Sequence, residues 1–157
     1  MNSDLRKVLH FDAPQGPYRA DAAVVWCYDD RFELTLRKLL KRLRIEHPDR
    51  IRVAGGAKCL ASPEPEYERE LVLEQIRKSA KLHGTHRVLL MVHSDCGAYG
   101  GIEAFGGDAQ AEIQHHLQEL QRAAACVRQN FPGVTVECYF VDFEGVSAAP
   151  TVLTEAL

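Results

Sequence analysis

The chain has 157 residues, 46% of them hydrophobic, and sets 19 Lys and Arg against 22 Asp and Glu for a net charge of -3. That length suits a single domain over residues 1–157 with a real core, and the interspersed charge offers no basic stripe for a nucleic-acid backbone. No apolar run approaches the roughly 18 residues that suggest a membrane span, and Met1-Asn2-Ser3-Asp4 lacks an apolar signal core, so a cytoplasmic protein is expected.

In chain order, Ala22-Ala23-Val24-Val25-Trp26-Cys27 is a continuous apolar run that reads as a strand buried on both faces. Phe32, Leu36, Leu39, Leu40 and Leu43 then recur at helical spacing, with Arg37, Lys38, Lys41 and Arg42 on the other side. Ile51-Arg52-Val53-Ala54 is a short second strand, broken by Gly55-Gly56, where the backbone can turn or approach a ligand closely. A helix starting at Ser62-Pro63 carries the stripe Tyr67, Leu71, Ile76 and Ala80 to a left-handed cap at Gly84.

Arg87-Val88-Leu89-Leu90-Met91-Val92 is the most apolar strand. After a glycine-rich turn, Ile113, Leu117, Leu120, Ala124 and Val127 step by four and three until Pro132-Gly133 stops the helix, and Val134 to Val141 reads as a fourth strand. Alternating strands and helices imply a three-layer α/β/α fold: a small, mostly parallel sheet of about four strands flanked by helices on both faces. In such sheets ligands bind beyond the carboxyl ends of strands, where strand order reverses.

Two strand ends carry the chemistry. Cys27 closes the first strand and His93-Ser94-Asp95-Cys96-Gly97 closes the third, so Cys27, His93 and Cys96 can be delivered together as metal ligands. Structural zinc is usually closed by four protein ligands, whereas catalytic zinc keeps three and an open position. The count favours chemistry. A lone strand-end cysteine packs as a small hydrophobe; the pairing with His93 and Cys96 is what reads as a site. Asp29 and Arg31, two residues apart just past the first strand, can form an ion pair that keeps Asp29 off a metal and oriented toward its bound water.

The remaining candidates read more plainly. The five cysteines are scattered and odd in number, which fits thiols or metal ligands in a reducing compartment rather than disulfides. Cys59 is a packed or partly exposed thiol that could also sit near the metal, and Cys126 and Cys138 belong to the core. His115-His116 is expected on a solvated helix face. The turn at Gly97-Ala98-Tyr99-Gly100-Gly101 is either an anion cradle of backbone N–H groups or a tight reversal.

Cys-x-Asp-x-Arg at Cys27, Asp29 and Arg31, followed by His-x-x-Cys-Gly at His93, Cys96 and Gly97, resembles the β-class carbonic anhydrases. Arg52-Val53-Ala54-Gly55-Gly56 resembles that family's Arg-Asn-Ala-Gly segment between the two motifs. The resemblance implies a lyase that hydrates carbon dioxide to bicarbonate through a zinc-bound hydroxide, because zinc lowers the pKa of a bound water from ~15.7 to ~7. It further implies Zn²⁺ on Cys27, His93 and Cys96, a catalytic pair of Asp29 and Arg31, backbone contacts to substrate from Gly55, Gly56 and Gly97, and a homodimer or higher homo-oligomer. Two alternatives stay open: a noncatalytic zinc-binding domain of the same fold, or a hydrolase of a carbon–sulfur analogue. Relative to that family the chain has little before its first strand, and essentially one helix between His-x-x-Cys and the last strand. Its only upstream counterpart of the family's pocket glutamine is Gln15.

Overall fold

A computed structural model describes residues 4–151. Five strands, β1 (Ala22–Trp26), β2 (Pro48–Arg52), β3 (Arg87–His93), β4 (Thr135–Val141) and β5 (Val146–Ala149), form one sheet in the order β2-β1-β3-β4-β5. The first four run parallel; β5 joins antiparallel at the edge, pairing Val141 with Val146 through Cys138 with Ala149. Four helices connect them, α1 (Glu33–Arg42), α2 (Lys58–Ala61), α3 (Tyr67–His83) and α4 (Ala109–Asn130).

Each central strand is buried on both sides, and its alternate residues feed two different cores. Ala22, Val24 and Trp26 of β1, with Leu89 and Met91 of β3, pack against Leu36, Leu39 and Leu40 of α1. Ala23, Val25, Val88, Leu90 and Val92 face the opposite way, against Val72, Leu73 and Ile76 of α3 and Leu120, Ala123, Ala124 and Val127 of α4. The result is the three-layer arrangement that the alternation of elements implies.

Three boundaries differ from the sequence expectation. β2 lies earlier, at Pro48–Arg52, because its register with β1 runs from Ala22 opposite Pro48 to Trp26 opposite Arg52, and Pro48 is tolerated as the first residue of an edge strand. α3 starts at Tyr67, since Pro63 and Pro65 disfavour helical backbone in the residues before them. Its end is as expected: Gly84 adopts φ 67 and ψ 25, and its N–H reaches Ala80 and Ser79. The fifth strand escapes the pattern because Val146-Ser147-Ala148-Ala149 is short, small-residued and half-exposed.

The expected solvated pair at His115-His116 is corrected for His116, which is fully buried. Glu112, His116 and Glu119 are spaced four and three apart on α4, so they share a face, and all three are buried. Tyr99, Phe105 and Phe140 close over His116 with ring centroids 4.6, 5.9 and 5.7 Å away. The long connection before α4 folds back over a helix face that periodicity alone assigns to solvent. Cys59 and Cys138 are buried and Cys126 is half-buried, as packed thiols should be.

Burial, aided by His115 and His93, pushes His116 down to about 4. Its folded pKa lies below the ordinary value of ~6.5, so the stability linked to neutral His116 is complete above that value and is lost as pH falls toward 4. Between pH 7 and 5 the wild type should lose about 2 kcal/mol more than His116→Leu, measured by urea unfolding at both pH values. Parallel losses in the two proteins would contradict this.

Candidate metal centre

The sheet brings the two motifs together. β1 and β3 are neighbours in register, Ala23 opposite Val88 to Val25 opposite Leu90, yet the chain visits β2 between them. Strand order therefore reverses at β1 and β3, and their carboxyl ends border the crevice where open parallel sheets bind ligands. Cys27 stands one residue past β1 and His93 is the last residue of β3. A tight turn through Ser94 and Asp95, the latter at φ 55, then returns Cys96 toward them. One ligand atom from each of Cys27, His93 and Cys96 lies within 4.8 Å of the other two, and all three residues are buried. This group could hold a metal ion.

The donors are prepared for that role. His93 Nδ1 donates to the carbonyl of Ser94 at 2.7 Å, which fixes the proton on Nδ1 and leaves the Nε2 lone pair free. Nε2 is buried with no hydrogen-bond partner among the described residues, an arrangement that costs free energy unless something accepts that lone pair. Trp26 and Phe32 flank the imidazole at 5.5 and 4.8 Å between ring centroids. The two thiols form a coupled pair: a hydrogen bond from Cys96, helped by His93 and the backbone N–H groups of Gly55 and Asp29, pulls Cys27 toward the thiolate. Cys27 in turn pushes Cys96 up, with burial adding to the effect.

Asp29 and Arg31 are paired as their spacing suggests. Asp29 caps the short 3-10 turn Asp30–Phe32, with Oδ1 accepting the Arg31 backbone N–H at 3.0 Å. The Arg31 guanidinium grips the same carboxylate from Nε, 3.0 Å to Oδ1, and from its terminal NH2 group, 2.7 Å to Oδ2. That grip holds Asp29 down to about 2, so it is a carboxylate, and only an acceptor, at any physiological pH. Its Oδ2 lies 3.8 Å from His93 Nε2.

Four residues join the site to which the motif reading assigns no role, Asp95 and Arg52 inside quoted motifs and Glu112 and Phe143 outside them. Asp95 accepts from Arg31 at Oδ2 and at its carbonyl, each at 3.1 Å, and from Ile102 N–H at Oδ1, 2.9 Å. Arg52 donates twice to the carbonyl of Cys27, at 3.2 and 3.1 Å, and also pairs with Glu33. Glu112 accepts from Ser94 and Asp95. The ring of exposed Phe143 lies 5.2 Å from the Arg31 guanidinium carbon. Asp95 stood in plain view inside the second motif, but only its left-handed backbone turns it toward Arg31. Nothing in the sequence signals Glu112 or Phe143.

Gly55, Gly56 and Gly97 fall around the same centre. Gly55 sends its N–H toward Cys27. Gly56, at φ 57, backs onto the sheet, and a Cβ there would stand 2.5 Å from the Met91 carbonyl oxygen and 3.0 Å from the Cys27 nitrogen. Gly97 has open space around it. Cys59 lies outside the ligand group and points its thiol at the Ala54 carbonyl at 3.9 Å; Gln15 is exposed.

Fold and site together define an α/β protein with a buried two-thiol, one-imidazole centre at a topological switch point. A sequence profile for the family described as "Putative carbonic anhydrase" matches residues 19–149, and the chain belongs to that family. An uncharacterised protein of Rickettsia bellii (strain RML369-C) is 23% identical over 130 residues, 81% of this chain and 79% of the relative. Among solved structures, the carbonic anhydrase of Streptococcus mutans aligns over 88% of each chain with a TM-score of 0.60 and 16% identity. One of two tetrameric β-carbonic anhydrases from Sordaria macrospora aligns over 83% of this chain and 81% of its own, with a TM-score of 0.58 and 13% identity. The fold is that of the β-carbonic anhydrases.

Gly56→Ala should lower stability by about 3 kcal/mol or more, because the added Cβ meets backbone rather than a movable side chain and the φ is left-handed. Chemical denaturation of the two proteins measures it; a loss under about 1 kcal/mol would show that the β1–β3 end tolerates displacement.

Proposed function

We propose that the protein is a zinc-dependent carbonic anhydrase that hydrates carbon dioxide to bicarbonate. In this reading Cys27, His93 and Cys96 hold the zinc, and Asp29 with Arg31 is the catalytic pair. The observation that carries it is the buried, partnerless His93 Nε2 facing two converging thiols, with a gripped carboxylate 3.8 Å away. Two sulfurs and one imidazole suit zinc, and three protein donors leave one position open. Zinc so bound supplies a Lewis acid that makes water a strong nucleophile near neutral pH.

The chain's own residues do the rest. Asp29 accepts a hydrogen bond and orients the donor that presents it, and Arg31 keeps the carboxylate turned to that task rather than to the metal. Trp26 and Phe32 exclude bulk water from the imidazole side. Gly97, exposed beside Cys96 with open space at its Cα, leaves room for a small linear substrate, and Gly55 and Gly56 pack closely on the Cys27 side.

We also propose a homodimer or larger assembly. Support comes from the half-exposed edge strand β5 and a groove of about 510 Å³ beside it, lined by Leu39, Leu43, Tyr139 and Val146. No helix among the described residues is long and apolar enough to cross a membrane, and the described cysteines are all free thiols, which suits a reducing cytoplasm.

Stopped-flow assay of the zinc-loaded protein should show carbon dioxide hydration well above the buffer rate; background rates at stoichiometric zinc would contradict the function. Arg31→Ala should retain zinc while turnover falls by about 10- to 100-fold, and Asp29→Ala should move the rise of the pH–rate profile to higher pH. Wild-type rates in both would reduce the pair to an ordinary surface contact. Sedimentation at micromolar concentration should show a dimer or larger species rather than a monomer.

A further inference from the structure

Glu112 is a carboxylate with almost no exposure, and burying one is costly unless donors converge on it. Helix α4 has ample solvent-facing positions, so a glutamate on its inner face calls for a reason. Its two oxygens divide between consecutive residues of the turn that separates His93 from Cys96. Oε2 accepts the Ser94 hydroxyl at 2.7 Å, and Oε1 accepts the Asp95 backbone N–H at 2.6 Å. His116 Nε2 stands 3.8 Å from Oε1, one turn along the helix.

Both residues so held act on the site. The Ser94 carbonyl accepts the hydrogen bond from His93 Nδ1–H. Asp95 keeps its left-handed backbone between two anchors, Glu112 on its N–H and the Ile102 N–H on its Oδ1. In that pose its Oδ2 and its carbonyl receive Arg31, which in turn holds Asp29. From Glu112 one line of hydrogen bonds runs through Ser94 to His93, and another through Asp95 and Arg31 to Asp29.

We propose that Glu112 is a positioning residue that sets the 93–96 turn from beneath, and through it both the metal-ligand geometry and the Arg31–Asp29 pair. The proposal rests on Cys27, His93 and Cys96 being the zinc ligands. Glu119 provides an internal control. It is equally buried on the same helix, but it bonds Ser62 and lies 3.5 Å from Arg122 and 3.8 Å from His115 instead of engaging the turn.

The test is zinc affinity of the full-length protein by competition with a chromogenic chelator, for wild type, Glu112→Gln, Ser94→Ala and Glu119→Gln. Glu112→Gln should weaken zinc about 10- to 100-fold, Ser94→Ala should weaken it by a smaller factor, and Glu119→Gln should leave it unchanged. At saturating zinc, Glu112→Gln should also lower kcat, and that loss should be smaller in an Arg31→Ala background because one of the two lines passes through Arg31. Zinc affinity within about twofold of wild type in Glu112→Gln, or an equal loss in Glu119→Gln, would overturn the proposal. If Glu112→Gln does not fold, unchanged affinity in Ser94→Ala overturns it instead. A wild type that binds no zinc removes the metal reading and this one with it, whereas a wild type that binds zinc but hydrates nothing leaves the affinity arm to decide.

Discussion

A single guanidinium joins the two halves of this site. Arg31 belongs to the loop after β1, Asp95 to the loop after β3, and the contacts among Arg31, Asp29 and Asp95 are what tie those loops to each other at the mouth of the crevice. A planar fork with five donors can grip one carboxylate from two nitrogens and still reach a second residue; a lysine ammonium could not hold the same geometry. The Asp29 carboxylate is thereby both ionised and aimed. Were it released, a free carboxylate 3.8 Å from His93 Nε2 would be the nearest candidate for an open metal position.

Charge balance gives the same centre its second constraint. A Cys27 thiolate buried at the sheet end beside the Cys96 thiol and an imidazole is costly without compensation, and the protein supplies part of it through the Cys96 hydrogen bond and the backbone N–H groups of Gly55 and Asp29. In the proposed zinc-bound state a divalent cation would complete the neutralisation and deprotonate both thiols, which would couple metal binding to folding. The close approach at Gly56, the Arg52 bonds to the Cys27 carbonyl and the Glu112 bonds to the 93–96 turn all hold ligand-bearing backbone in place.

How much of this was legible in the sequence follows the range of each signal. Apolar runs and helical spacing are local, so β1, β3, β4, α1 and α4 could be read directly, as could the Gly84 cap. The convergence of Cys27, His93 and Cys96 is legible because these residues sit at or just past the ends of those runs, and the Asp29–Arg31 pairing because it lies within two residues. Asp95 and Glu112 are not, since their roles depend on a left-handed residue and on which helix face the 97–105 connection covers. The burial of His116 escapes the sequence for the same reason. The charged face that periodicity assigns to solvent is roofed by Tyr99 and Phe105, whose approach only the folded chain defines. β5 is a weak strand by composition, and its place at the sheet edge is decided by pairing with β4 rather than by its own residues.

In the proposed zinc-bound state Arg31 holds Asp29 away from an open metal position. A crystal structure of the zinc-loaded protein near neutral pH measures that most directly. It should show zinc on Cys27, His93 and Cys96 with a solvent molecule as the fourth ligand, and Arg31 still gripping Asp29. Asp29 coordinated to the metal with Arg31 swung clear, or zinc bound elsewhere, would contradict it.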